Sequence, residues 1–408
     1  MSRRTLYAAI FTAAVAALPA AGAASGRHGG EDDARLLGRA VLPALTVAPG
    51  PQSGAAATDA NGVDFPIEEG QIVEGFSGII EGDRLGQFLA MADNGFGSKA
   101  NSADFLLRAY VVEPDFKTAG GGTGGVLVRD WVQFRDPYDL LDFGIVNEGQ
   151  IGRLLTGADL DPESIQRAEN GDLWVGDEFG PWILHFSADG VLLDPPFSIP
   201  GVTSPSNPTP GSQPATIRNS RGFEAMAVRG KYLYAILEGA ADPADPTRRV
   251  FEFDIRREKL TGREWVYSTE TPTPPQTEHF IADAQAVGRH QLVIIERDGS
   301  RDQAALTGFK RVYLVDLRKV GADGTLVKHE LLDMVDIPDP DGVSLPPIRP
   351  DDIGLGDPFS VVCESIEALR PLGKDQLLLA CDNNFPNTSR NPTVPDDNEF
   401  VVVRVPGL

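Results

Sequence analysis

The stretch Asp159-Leu160-Asp161-Pro162-Glu163-Ser164-Ile165, continued through Gly171-Asp172-Leu173-Trp174-Val175-Gly176-Asp177-Glu178, holds the unit on which the fold reading rests. A polar or acidic residue sits in an apolar frame, a strand-sized run follows, and the run ends in a carboxylate. The figure returns four more times: Phe76-Ser77-Gly78-Ile79 to Asp93-Asn94, Phe223-Glu224-Ala225-Met226 to Glu238, Asp283-Ala284-Gln285-Ala286 to Glu296, and Ile366-Glu367-Ala368-Leu369 to Asp382-Asn383. The interval from first to second polar position is 13 to 16 residues. Self-similarity of this kind marks a repeat architecture. In a closed ring each copy would set a carboxylate at a matching point of its unit, and the set would gather at one end.

The sequence around the repeats is all-β in character. Phe88–Met91, Leu173–Val175, Tyr232–Leu237, Leu292–Ile295, Val312–Val315, Leu377–Ala380 and Phe400–Val405 are strand-sized and rich in β-branched or aromatic residues. Runs with helical period are scarce, and 44 Gly and 32 Pro suit frequent turns. Repeat starts lie 59 to 86 residues apart. A four-stranded propeller blade needs about 40–50, so the units carry insertions. The expected fold is an all-β β-propeller of six blades, with five or seven left open. Pro195–Ser220 and Asp336–Asp357 read as long loops.

The chain of 408 residues has 59 acidic against 36 basic side chains and a formal net charge of −23. Such a balance excludes nucleic acid and anionic membrane surfaces as partners, because phosphate backbones demand a basic footprint. It suits cation binding and equally suits simple solubility. Residues 1–25 read as a signal peptide: Arg3 and Arg4, an apolar Ala-rich run from Leu6 to Leu18, then small residues. The Arg pair leaves both the Sec and the twin-arginine route open. Residues 26–60 read as a low-complexity linker with one strand, Ala40–Val47, and 61–408 as the folded body. No later run is long and apolar enough to span a bilayer. The expectation is an exported monomer, periplasmic or secreted, without a membrane anchor. Cys363 and Cys381, the only cysteines, either form a disulfide or stay as two buried thiols.

The recurrent carboxylates carry the chemistry. Crowded acids must protonate, pair with cations or hold a metal. Ca²⁺, with its six to eight oxygen ligands, suits such a cage. The candidate metal ligands are Asp161, Glu163, Asp177, Glu238, Glu296, Glu367 and Asp382. Asp283 takes the first polar position in the fourth copy, as Ser77 does in the first. Glu178 and Glu224 are candidates to orient or deprotonate water. Arg221 and Arg297 can clamp a small anionic, phosphorylated substrate, or else neutralise their acidic neighbours. The chain has no Gly-x-Ser-x-Gly elbow, no His-Glu-x-x-His and no P-loop. His279 is the histidine placed to serve as an acid–base group, and Ser77 the one serine considered for carboxyl-ester hydrolysis.

Leu155-Thr156-Gly157-Ala158-Asp159-Leu160-Asp161-Pro162-Glu163-Ser164-Ile165, Gly176-Asp177-Glu178-Phe179-Gly180-Pro181, Asn219-Ser220-Arg221-Gly222-Phe223-Glu224, Ile295-Glu296-Arg297-Asp298 and Cys381-Asp382-Asn383-Asn384-Phe385 together resemble the phytase-like family of exported bacterial propellers, described by an esterase-like activity of phytase. The resemblance runs over most of the body. It implies a propeller fold and phosphoester hydrolysis. Two readings therefore stand from the sequence: a Ca²⁺-assisted phosphoester hydrolase, and a non-catalytic, Ca²⁺-stabilised binding propeller.

Overall fold

A computed structural model describes residues 33–211 and 213–408. The signal peptide expected at residues 1–25 lies outside them. The described chain from Ala34 onward forms one compact unit. Strand β1 (Arg35–Leu42) comes first, followed by a two-residue ladder of β2 (Val47–Ala48) and β3 (Gln71–Ile72). Four antiparallel sheets follow in chain order. The first holds β4 (Phe76–Glu81), β5 (Phe88–Ala92), β6 (Arg108–Asp115) and β7 (Gly125–Gln133). The second holds β8 (Pro162–Arg167), β9 (Leu173–Asp177), β10 (Trp182–Phe186) and β11 (Phe197–Ser198). The third holds β12 (Ala225–Arg229), β13 (Tyr232–Ile236), β14 (Thr247–Asp254) and β15 (Lys259–Ser268). The fourth holds β16 (Phe280–Ala286), β17 (Gln291–Arg297), β18 (Lys310–Val320) and β19 (Leu326–Asp333), with one helical turn, α1 (Asp302–Ala305), between β17 and β18. A fifth is built from β20 (Ser365–Pro371), β21 (Gln376–Asp382), β22 (Asn398–Arg404) and, returning from the start of the chain, β1.

The first strands of the five units touch in a closed cycle: β4 on β8, β8 on β12, β12 on β16, β16 on β20, and β20 back on β4. The arrangement is propeller-like, yet the expected six units are not met among the described residues. The wide spacings that suggested a hidden unit are filled by β6, β7 and the loop of residues 134–161, and by β18, β19 and the loop of residues 334–364. The outer edges of the first and fifth units also meet, through one parallel pairing of Val41 with Gly125. The first strands are buried along nearly their whole length, as innermost strands between neighbouring sheets must be, whereas the outer strand β15 is largely exposed. The residues expected as the loop Pro195–Ser220 contain only the short β11, and those of Asp336–Asp357 contain no named strand.

The linker expectation needs correction. Strand β1 begins at Arg35 rather than Ala40, and it belongs to the body. Its apolar residues Leu36, Ala40 and Leu42 are buried. Leu36 packs with Leu369, Leu377 and Val403, while Ala40 and Leu42 pack with Ala380, Phe400 and Val402. The strand therefore bridges two apolar clusters. Burying a leucine side chain contributes about 2 kcal/mol, so losing β1 removes two such terms and a seven-position ladder with β22.

The register carries a feature that positions everything below. In four units the first strand holds one extra residue against the second: Ser77 between Phe76 and Gly78, Glu163 between Pro162 and Ser164, Ala282 between Ile281 and Asp283, and Glu367 between Ile366 and Ala368. In the third, Gly222 accepts from the Glu238 N–H and Ala225 pairs with Ile236, which leaves Glu224 in the same place. Such bulges break the alternation of side chains and re-aim one of them. They also show that Ala282, not Asp283, is the fourth copy's equivalent of the recurrent glutamates. Asp283 is turned instead to the backbone, accepting from the N–H groups of Ala284 (2.7 Å) and Leu369 (2.7 Å).

A chain beginning at residue 45 should unfold at a clearly lower temperature than one beginning at residue 33. Thermal scans followed by near-ultraviolet circular dichroism check this. Equal melting of the two would show that β1 does not close the fifth sheet.

Candidate active site: a buried carboxylate cluster

The bulges set five equivalent side chains, Ser77, Glu163, Glu224, Ala282 and Glu367. The residue that follows the bulge partner on each second strand gives a further five: Asp93, Glu178, Glu238, Arg297 and Asp382. Glu163 (8% exposed), Glu224 (3%), Glu367 (5%) and Glu178 (3%) are all buried. Oxygens of Glu163, Glu224 and Glu367 lie within 4.8 Å of one another. So do oxygens of Asp161, Glu163 and Glu178. Glu163 is common to both groups. Asp161 Oδ1 and Glu224 Oε1, one in each group, are buried without a hydrogen-bond partner. Buried charges normally gain partners or ligands, since an unmet one costs several kcal/mol.

The electrostatics follow from this crowding. Burial first, and then the facing Glu224, Asp161 and Glu178, push the Glu163 carboxyl well above its ordinary range. Glu224 is raised by burial and then by Glu367, Glu238 and Glu178, against the opposing pull of Arg297. Glu178 is raised by burial and by Glu238 and Asp161, although Arg221 and the Gly222 N–H lower it. Burial pushes Asp161 up to about 6. Glu74, which lies just ahead of the first repeat, is fully buried, and burial together with Asp382 raises it too, against the opposing pull of the Phe385 backbone N–H.

The remaining expected residues separate from these two groups. Asp177 braces the loop, accepting from the Asp161 N–H at 2.9 Å and the Gly180 N–H at 2.5 Å. Glu238 is taken by Arg221 (2.7 Å) and Arg297 (3.4 Å). Asp382 accepts from the Asn384 N–H at 2.7 Å. Glu296 belongs to another network, with Tyr267 Oη and Lys328 Nζ both at 2.7 Å and His279 Nδ1 at 3.3 Å. As a metal ligand Glu296 is thus a misreading: it stands opposite Ile281, one residue short of the clustered positions. His279 stacks on Phe309 and serves this second network. Ser77 is fully buried, with its hydroxyl donating to Glu367 Oε2 at 3.4 Å, a packing role rather than that of an exposed nucleophile.

The two arginines behave differently. Arg297 Nη2 lies 2.6 Å from Glu367, 3.4 Å from Glu238 and 3.8 Å from Glu224, and its side chain is 7% exposed. Burial disfavours its charge, yet the three glutamates outweigh that and hold the guanidinium above its ordinary value. It is therefore committed to the cluster and not free to clamp a substrate. Arg221 pairs with Glu238 and stacks over the Phe280 ring at 4.4 Å, with about a fifth of its side chain in solvent. Lys99 was not expected. It donates to the Ser206 carbonyl at 2.7 Å, lies 4.2 Å from the Phe179 ring centre, and stands near Asp177, Asp161 and Asp159. A lone lysine in a Gly/Ser loop gives no sequence signal. Cys363 and Cys381 are joined as a disulfide, which ties the approach to β20 to the residue before Asp382.

A family model described as "Phytase-like: Esterase-like activity of phytase" matches residues 71–385. The chain belongs to that family. An uncharacterized secreted protein of Arthroderma benhamiae is 28% identical over 158 residues, covering 34% of this chain and 29% of that protein. The match thus spans under a third of the relative's length. Among solved structures, a luciferin-regenerating enzyme aligns over 84% of this chain and 81% of its own, at 11% identity and a TM-score of 0.37. An endo-arabinase from Bacteroides thetaiotaomicron aligns over 79% and 94%, at 9% identity and 0.36. Likenesses this distant say nothing about the site. Among the described residues no helix is long and apolar enough to cross a membrane.

The raised Asp161 gives a signed expectation. An unfolded aspartate titrates near ~3.9; the folded group does so at about 6. Between those values the folded state binds the extra proton, so the site's contribution to stability falls as pH rises and levels off above the folded value. In chelator, the stability advantage of Asp161→Asn over the parent should therefore grow from about pH 4 to about pH 6 and then stay flat. Urea unfolding across pH reads this, and an advantage that shrinks over that window would overturn the raised Asp161.

Proposed function

We propose that the ring is a five-bladed propeller and the chain an exported hydrolase that cleaves a phosphoester at the mouth of its axial carboxylate cluster, with Ca²⁺ held there. One observation carries the reading: two groups of three buried carboxylates share Glu163, and each contains an oxygen without a hydrogen-bond partner. A hard divalent cation answers that shortage with oxygen ligands alone. The donor set fits, with Asp161, Glu163 and Glu178 as the holding residues on the side away from Arg297. When bound, Ca²⁺ supplies positive charge to polarise a phosphoryl oxygen and to offset charge in the transition state.

The side chains do the rest. Glu178 is fixed for its role by the Gly222 N–H, which donates to its Oε1 at 2.8 Å. Glu224, whose proton affinity is raised by burial and by Glu367, Glu238 and Glu178, is suited to take a proton from water. Lys99 and Arg221, which keep part of their surface in solvent, are the cations placed to draw in an anionic ester. The family's description supports hydrolysis in general terms. The disulfide agrees with an oxidising, extracytoplasmic location, periplasmic or secreted.

The depth of the cluster favours a second reading, in which the cation is structural and the protein binds without turnover. Phosphate release from a panel of phosphoesters separates the two. The hydrolase reading expects Ca²⁺-dependent release, a fall of about 10²–10⁴-fold in kcat for Glu224→Gln, and little change in melting. Ca²⁺-dependent melting without release from any ester would establish the binding reading instead. For Arg221→Met the expected change is a raised KM at nearly constant kcat.

A further inference from the structure

The fourth unit departs from the others at both equivalent positions. Where the second, third and fifth units carry a glutamate at the bulge, it carries Ala282. Where the other four carry Asp93, Glu178, Glu238 and Asp382, it carries Arg297. The two changes belong together. Ala282 is fully buried and offers only a methyl group, while Arg297 on the adjacent strand of the same sheet sends its guanidinium among Glu224, Glu238 and Glu367. Phe280, its cross-strand partner, lies beside the guanidinium with 5.3 Å from ring centre to Cζ.

We propose that Arg297 is a tethered cation that fills the second of two cation positions in the cluster, so that the wild-type chain binds one divalent ion and not two. This rests on the metal reading above. The cluster has two candidate positions, Asp161/Glu163/Glu178 and Glu163/Glu224/Glu367. Arg297 stands against the second, with Nη2 at 2.6 Å from Glu367 and 3.8 Å from Glu224, and makes no ion pair with Asp161 or Glu178. A guanidinium supplies a single delocalised charge, does not deprotonate, and cannot diffuse away. Even so, Glu224 Oε1, 3.8 Å from Arg297 Nη2, is left without a hydrogen bond. Arg297 therefore neutralises this half without satisfying it fully. A variant that loses the tethered charge should recruit a second ion from solution.

The test counts metal. Ca²⁺ bound to the full mature chain is measured by calorimetric titration and, on protein purified in Ca²⁺, by elemental analysis, so variants that fold only with metal are still read. Wild type should bind one ion, Arg297→Lys one, and Arg297→Gln two. Adding Glu224→Gln to Arg297→Gln should return the count to one. Asp161→Asn in the wild-type background should lose the ion, whereas Glu224→Gln alone should keep it. One ion in both wild type and Arg297→Gln would overturn the tethered-cation role while leaving the metal site intact. Two ions in wild type would overturn it as well. Loss of the ion in Glu224→Gln, with retention in Asp161→Asn, would place the metal on the arginine's side and sink the proposal. No ion in wild type but one in Arg297→Gln would support the tethered cation while ending the metal reading of the native site. No ion in either would end both.

Discussion

Closing five sheets into a cycle forces their first strands together, and one extra residue in each strand turns a side chain out of the usual alternation at the same point of every unit. That repeated irregularity is the constraint on which the site depends. Without it, Glu163 and Glu367 would follow the pleat into the space between sheets, where an ionised carboxylate is intolerable. With it they converge, and burial together with the cost of bringing like charges together becomes the source of their raised proton affinity.

The cluster is not uniformly acidic, and its asymmetry organises it. One half is answered internally by Arg297, whose pairing with Glu367, Glu238 and Glu224 is as buried as the acids themselves. The other half, around Asp161, Glu163 and Glu178, has no such partner. A similar economy runs through the surroundings. Asp177 ties Asp161 to the Gly180 turn, and the Gly222 N–H ties Glu178 to the start of the third unit. Gly222 leaves no room for a side chain, since a Cβ there would sit 2.5 Å from the Glu178 Cα. The acids are thus held by backbone groups, which can bear their charge without neutralising it.

Much of this was legible in the sequence. The five repeats, the strand-sized runs and the recurrent carboxylates identify the all-β ring, and Asp161, Glu163, Glu178, Glu224 and Glu367 do meet. What the sequence could not deliver was register. A bulge shifts the phase of a strand by one residue, and nothing in Ile281-Ala282-Asp283 says that the alanine, rather than the aspartate, holds the equivalent place. The same slip made Glu296 look like a ligand, and Arg297, weighed as an anion clamp or a partner of its acidic sequence neighbours, pairs with Glu224, Glu238 and Glu367 instead. The wide spacings that suggested a sixth unit hold longer strands and loops among the described residues. Lys99 and Glu74 were invisible because their neighbours in space lie far along the chain. Strand β1 was misplaced because its small residues, Gly38 and Ala40, look like linker until the apolar side chains of β21 and β22 are laid beside them.

Strand β1 also sets a clock. Arg39 is ion-paired with Glu399, 360 positions later, and the ladder with β22 runs to Arg404. A growing chain emerging from the ribosome can assemble its middle sheets in order, but the ring stays open until the last of those partners has been made. Until then the wheel keeps an unpaired sheet edge, open to pairing with other chains. Sealing β1 against β22 thus defers closure of the ring until β22 has been made.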